Sequence, residues 1–138
     1  MQTGRNMKTN IDESLGIRFE DREGYLYAFF SGKRDGLPDA KRYWECAIEE
    51  CNKRGYKRML VEQDFPVPLS KIDAFYLAEA LAYMPIRQLR VAFVDRDVEQ
   101  NGINLFAETV AVNRGGVGKV FTNMADAEAY LLANPGTT

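Results

Sequence analysis

Polar side chains that could do chemistry follow two of the predicted strands. Gln63 and Asp64 come after one short strand, and Asp95, Asp97 and Glu99 come after a second. Ligands of open α/β proteins usually bind at the carboxyl ends of parallel strands. Three of these carboxylates, Asp64, Asp95 and Asp97, could form an oxygen-rich cation site, but mutual repulsion is as much to be expected as convergence on one ion. The sequence therefore predicts no tightly bound metal, no catalytic residue and no cofactor.

Two segments resemble catalytic motifs in part. The strand followed by Asp95-Arg-Asp97 resembles the Mg²⁺-binding and nucleophile motif of haloacid-dehalogenase phosphatases. It comes late in the chain, however, and too little sequence follows to supply the other motifs of such an enzyme. Gly115-Gly-Val-Gly118 follows a helix and precedes a strand, the reverse of the order that dinucleotide binding requires. We expect ordinary loops at both places and a protein that is not an enzyme.

The composition excludes several further functions. The 138 residues contain no histidine, which removes Ser-His-Asp and Cys-His nucleophile systems and the commonest transition-metal ligand. Cys46 and Cys51 are five positions apart on one predicted helix, so they lie on different faces and cannot share a metal or a disulfide. The net charge of −2 argues against a dedicated nucleic-acid-binding protein.

The chain is expected to form one domain over residues 15–134, with a flexible polar leader over 1–14 and a short tail over 135–138. The leader has no apolar signal core, and no stretch is long and apolar enough to span a membrane. We therefore expect a cytoplasmic protein, or one that is peripheral to the membrane.

Hydrophobic periodicity predicts an α/β fold. Two β-prone runs, 17–20 and 25–31, flank a turn and predict a hairpin. Strand–helix units follow, with helices expected from Pro38 to Gly55, from Ser70 to about Met84, over 103–113 and over 125–133, and strands over 58–62, 89–94 and 117–121. The order ββαβαβαβα implies a mixed, mostly parallel sheet in which the hairpin is the one antiparallel pair and 89–94 is an interior strand.

The second predicted helix is apolar on two sides. One side can pack on the sheet and consists of Ala74, Leu77, Ala80, Leu81 and Met84. The opposite side consists of Ile72, Phe75, Tyr76 and Tyr83. A helix that is apolar on both sides needs a second cover, which could be a neighbouring helix, a second subunit, a membrane or an apolar ligand. The predicted ligand-binding residues are this opposite side and a preceding aromatic residue: Phe65, Ile72, Phe75, Tyr76 and Tyr83.

Four segments carry a resemblance to a known family. They are Phe106-Ala-Glu108, Ala111-Val-Asn113-Arg-Gly115, Val120-Phe121-Thr122 and the run from Asp126 to Leu131. Together with the element order, they resemble the SpoIIAA-like branch of the STAS superfamily over about residues 15–133. The resemblance implies that fold, and binding or regulation in place of catalysis. Relatives include anti-sigma-factor antagonists, transporter-attached domains and proteins akin to the Sec14 lipid-transfer domain.

The antagonist motif of that family is matched at one position. Antagonists carry Asp-Ser-Ser/Thr-Gly with a phosphorylated hydroxyl, whereas this chain reads Asp64-Phe-Pro-Val-Pro-Leu-Ser70. Ser70 stands at the start of a helix, where a serine is a good N-cap. We expect Ser70 to be a helix cap first, with phosphorylation as the alternative.

The expected function is a non-enzymatic binding module for a small apolar ligand or for a lipid or membrane surface. The alternative is a partner-switching regulator of the anti-sigma-factor-antagonist type. A protein partner or a homodimer would fit either function, and no nucleic acid is expected.

Overall fold

A computed structural model describes residues 15–116 and 118–133. Within them lie five strands and four α-helices, with a one-turn 3₁₀-helix over Val98–Gln100 before the third helix. The strands are β1 (Gly16–Arg22), β2 (Tyr25–Ser31), β3 (Arg58–Asp64), β4 (Arg90–Asp95) and β5 (Lys119–Phe121), and the helices are α1 (Gly36–Lys53), α2 (Lys71–Leu81), α3 (Asn101–Asn113) and α4 (Met124–Leu132). The leader and tail expected from the sequence lie outside the described residues.

The strands form one mixed sheet in the order β1-β2-β3-β4-β5. β1 and β2 form the antiparallel hairpin, in which Gly16 pairs with Ser31 and Arg22 with Tyr25. The other neighbours are parallel, and β4 lies inside the sheet between β3 and β5. The structure thus confirms the α/β class, with a five-stranded mixed sheet and four helices.

Successive side chains along a strand point to opposite faces of the sheet, and apolar residues form a hydrophobic core on each face. On one face, Leu26, Phe30, Met59 and Val91 pack with residues of α1, among them Trp44. α2 packs beside α1 on this face, and α3 packs beside α2. On the other face, α4 covers a separate cluster of Tyr25, Tyr27, Phe29, Leu60, Ala92 and Val94 with Ala127 and Leu131.

Two helix ends show how local sequence sets the boundaries. α1 ends before Gly55, whose φ of 82° is the left-handed conformation that glycine adopts without strain. α2 ends at Leu81, three residues earlier than Met84, the end expected from the sequence. After Leu81 the backbone forms a tighter turn, in which the Tyr83 and Met84 amides donate to the carbonyl oxygens of Ala80 and Leu81, three residues back. Pro85 disfavours helical backbone in Met84, so the helix does not continue beyond this turn.

No described helix combines the length and the apolar character that a membrane crossing requires.

Candidate functional site

A cavity of about 110 Å³ lies between the sheet and helices α2 and α3. Most of its wall is apolar. The lining residues from α1, α2, β4 and α3 include Trp44, Ala74, Leu77, Ala78, Leu81, Val91, Phe93, Ile103, Ala107 and Ala111.

The spacing of residues on α2 explains why the cavity forms there. Ala74 is three and four residues before Leu77 and Ala78, which are in turn four and three residues before Leu81, and these steps place side chains on one helix face. The facing side of α3 contributes the small residue Ala107. Beside the cavity, the ring of Phe75 packs against that of Phe106, with 6.5 Å between ring centroids. Small side chains over the cavity and large ones beside it leave room between the two helices and the sheet.

One end of the cavity is polar because the strand residues that line it change from apolar to polar at the carboxyl ends of the strands. On β4, Val91, Phe93 and Asp95 alternate onto the cavity side, so the last of them brings a carboxylate to the apolar wall. The buried Asp95 Oδ2 accepts hydrogen bonds from Gln63 Nε2 at 2.9 Å and from Asn104 Nδ2 at 3.0 Å. Its Oδ1 accepts from the backbone amide of Asp97 at 3.0 Å. The Asp95 carboxylate is therefore held by three donors.

Arg34 lies at the same polar end, in the loop that follows β2. Its guanidinium carbon is 4.0 Å from the centroid of the Phe65 ring, and its Nη2 donates to the carbonyl oxygen of Val67 at 3.2 Å. Among the described residues, Arg34 Nε is the one buried side-chain nitrogen or oxygen that has no hydrogen-bond partner. Burial lowers the pKa of the Arg34 guanidinium, and attraction to Asp95 opposes that effect.

The structure places the five predicted ligand-binding residues in different surroundings, and none of them lines the cavity. Phe65 is buried in the core, where its ring meets that of Tyr43 edge-on at 5.1 Å. Phe75 is half-buried against α3. Ile72, Tyr76 and Tyr83 are exposed by 62%, 48% and 82%. The predicted second side is thus divided between a helix–helix contact at Phe75 and an exposed outer stripe, which we define as Ile72 and Tyr76 of α2 and Tyr83 in the turn that follows it.

Ser70 is the N-cap of α2, as expected from the sequence. Its Oγ accepts a hydrogen bond from the backbone amide of Asp73 at 3.1 Å, and the residue is exposed. Phosphorylation of Ser70 stays a prediction.

The remaining polar residues at the strand ends serve local structure. Asp97 caps the 3₁₀-helix by accepting from the Glu99 amide at 3.1 Å, and the exposed Asp64 lies 3.8 Å from a guanidinium nitrogen of Arg96. Over 15–116 and 118–133, no group of three or more histidine, cysteine, aspartate or glutamate side chains could hold a metal ion.

Gln63 and Asp95 of the polar end were predicted from their positions at carboxyl strand ends, whereas Arg34 and Asn104 were not predicted. Gln63 and Asp95 lie at the carboxyl ends of β3 and β4, and Arg34 follows the carboxyl end of β2. Applying the rule for carboxyl strand ends to β2 as well would therefore have identified Arg34. Asn104 had no such signal, because it belongs to the first turns of α3 and reaches the site through the packing of that helix.

Comparison of the chain with models of known families, with curated proteins and with solved structures finds no match.

Proposed function

We propose that the protein binds a small, predominantly apolar molecule in the cavity between the sheet, α2 and α3. The observation that carries the proposal is the distribution of side chains around it: most of the wall is apolar, and Arg34, Gln63, Asp95 and Asn104 form a polar end. The other polar lining residues are Gln100, Glu108 and Lys119. Ligand sites commonly combine apolar walls with a few polar groups that orient the ligand.

The size of the cavity limits the ligand. Its volume of about 110 Å³ is somewhat smaller than an engineered apolar cavity of about 150 Å³ in another protein, which accepts benzene. One aromatic ring or a short hydrocarbon chain therefore matches the apolar part. Such a ligand would restore the contacts that side chains around a void lack.

The lining residues favour binding over chemistry. Among the residues that the structure describes, the lining includes no serine, threonine, cysteine, tyrosine or histidine, so these residues supply no hydroxyl, thiol or imidazole as a nucleophile or general base. Asp95, the buried carboxylate of the cavity, is hydrogen-bonded to two side-chain amides and one backbone amide, an arrangement that supports a fixed orienting role.

Titration with toluene, followed by amide chemical shifts, tests this proposal. We expect shifts to concentrate at Ala74, Phe93 and Ala107, and the melting temperature to rise with toluene concentration. Ala78→Leu should fill the cavity and abolish these shifts, and Leu77→Phe provides a second filling variant if the first is poorly folded. Tyr76→Ala, on the outer stripe, is the control that should bind toluene normally. Shifts scattered over the surface, or unchanged in a folded filling variant, would contradict the proposal.

Association with a lipid surface is a second proposal, favoured by the exposed outer stripe of α2. Aromatic and aliphatic side chains on one exposed helix face can enter the interfacial region of a bilayer. Sedimentation with phosphatidylglycerol vesicles tests it, with loss of binding expected in Tyr76→Ser. A wild-type protein that stays in the supernatant would argue against a membrane role and leave the cavity proposal intact.

A further inference from the structure

We infer that the ligand is a small apolar carboxylic acid whose carboxylate is bound by Arg34. This inference rests on the proposed function, and it assigns the chemical class of the ligand from the polar end of the cavity. The site that results has an apolar pocket for one ring or short chain and a guanidinium at its end.

The hydrogen bonds of Arg34 are incomplete. Nη2 has a carbonyl acceptor in Val67, whereas Nε is buried and has none among the described residues. A buried donor without an acceptor is unfavourable, and the free energy is recovered when an acceptor arrives. Nε and one Nη of an arginine form the fork that carboxylates match with two parallel hydrogen bonds.

The surroundings of Arg34 hold the guanidinium in place. The guanidinium carbon lies over the Phe65 ring, 4.0 Å from the ring centroid, and Phe65 itself packs edge-on against Tyr43. No ion pair with a carboxylate of the described chain engages Arg34. The charge of this half-buried group is therefore compensated at longer range by Asp95, and a ligand carboxylate could supply a direct partner.

Asp95 does not offer a comparable site for an ammonium group. Three donors already occupy its two oxygens, and two of these donors are the side chains of Gln63 and Asn104. Oδ1 accepts one bond, so a ligand amine could gain at most one hydrogen bond from Asp95 unless it displaced these donors. Asp95 instead keeps the two side-chain amides oriented.

Three probes with the same ring and different heads test the inference: benzoate, benzyl alcohol and benzylamine. Binding is measured by chemical-shift titration at pH 7, where benzoate is ionised. We expect benzoate to bind at least tenfold more tightly than benzyl alcohol, and benzylamine to bind most weakly.

Arg34→Gln should weaken benzoate at least tenfold and change benzyl alcohol by less than about threefold. Arg34→Lys should give an intermediate loss, because it keeps the charge but not the fork. Arg87→Gln, at an exposed arginine, is the matched control and should leave all three affinities unchanged.

The outcomes separate the two proposals. Equal binding of benzoate and benzyl alcohol, or an equal loss of both in Arg34→Gln, would overturn the carboxylate inference while the cavity still binds apolar molecules. Tighter binding of benzylamine than of benzoate would also overturn the carboxylate inference, and would indicate Asp95 as the residue that binds the head group. Failure of all three probes, and of toluene, to bind would contradict both proposals.

Discussion

The carboxylate of Glu108 on α3 accepts a hydrogen bond from the backbone amide of Val120 on β5, with 2.7 Å between Oε1 and the nitrogen. β5 is a three-residue strand at one edge of the sheet. Edge strands have unpaired backbone donors that can pair with another chain. The contact therefore both attaches α3 to the last strand and occupies a donor at the edge.

Replacing Glu108 should loosen this edge. Glu108→Ala removes the acceptor of a half-buried amide, and we expect a loss of about 1 kcal/mol in the free energy of unfolding. Glu108→Gln keeps an acceptor oxygen and should lose less than half as much. Denaturant unfolding measures both, and hydrogen exchange at Val120 should accelerate in the alanine variant alone. Equal stability of wild type and Glu108→Ala would show that the bond is not stabilising.

The cap of α2 gives a second prediction. Ser70→Ala removes the acceptor of the Asp73 amide and should destabilise the protein by about 1 kcal/mol, whereas Ser70→Asp should be nearly neutral because aspartate caps as well as serine. Urea unfolding of both variants is the measurement. A silent Ser70→Ala variant would disprove the energetic role of the cap.

Neighbouring aromatic residues on α2 should respond differently to truncation. Phe75→Ala removes the ring that packs against Phe106 and should cost about 2 kcal/mol. Tyr76→Ala removes an exposed ring and should cost less than about 1 kcal/mol. Thermal unfolding of the two variants makes the comparison, and a Tyr76→Ala variant as unstable as Phe75→Ala would place the outer stripe in an interface.

Cys51 should make stability depend on pH in the alkaline range. Burial raises the pKa of its thiol from 9.0 to about 11. The unfolded chain loses this proton near pH 9, while the folded protein keeps it until about pH 11. The contribution of the neutral thiol is therefore complete below pH 9 and is lost between pH 9 and 11. Cys51→Ala should flatten this part of the stability profile, measured by denaturant unfolding from pH 7 to 11. An unchanged slope in the variant would contradict the assignment.

Local signals in the sequence predicted most of the fold. Gly24 and the β-prone runs beside it predicted the hairpin, and Ser70 predicted the start of α2. The end of β3 was missed by two residues, because Gln63 and Asp64 were interpreted as the start of a loop. Gln63 is buried, and its side-chain amide donates to the Asp95 carboxylate, 32 residues further along the chain. A hydrogen bond between residues so far apart cannot be inferred from the spacing of nearby residues.

The cavity could be predicted only in part. The rule for carboxyl strand ends identified Gln63 and Asp95, because sheet topology brings those positions together. Helical periodicity separated the residues of α2 into two sides but could not show what faces each side. The neighbour of Phe75 is α3, which the periodicity of α2 does not reveal. The lining residues of the cavity could therefore be identified from the sequence only in part.

The strand order has a consequence for how the protein folds. Each strand pairs with the next one in the chain: Leu26 with Met59, Met59 with Val91, and Ala92 with Lys119, so no pairing closes a loop longer than about 35 residues. Because closure entropy rises with loop length, pairing consecutive strands costs less than pairing strands from the two ends of the chain would. The sheet can therefore be extended one strand at a time in chain order, and α4, the last helix, can cover the second face once β3 and β4 are paired.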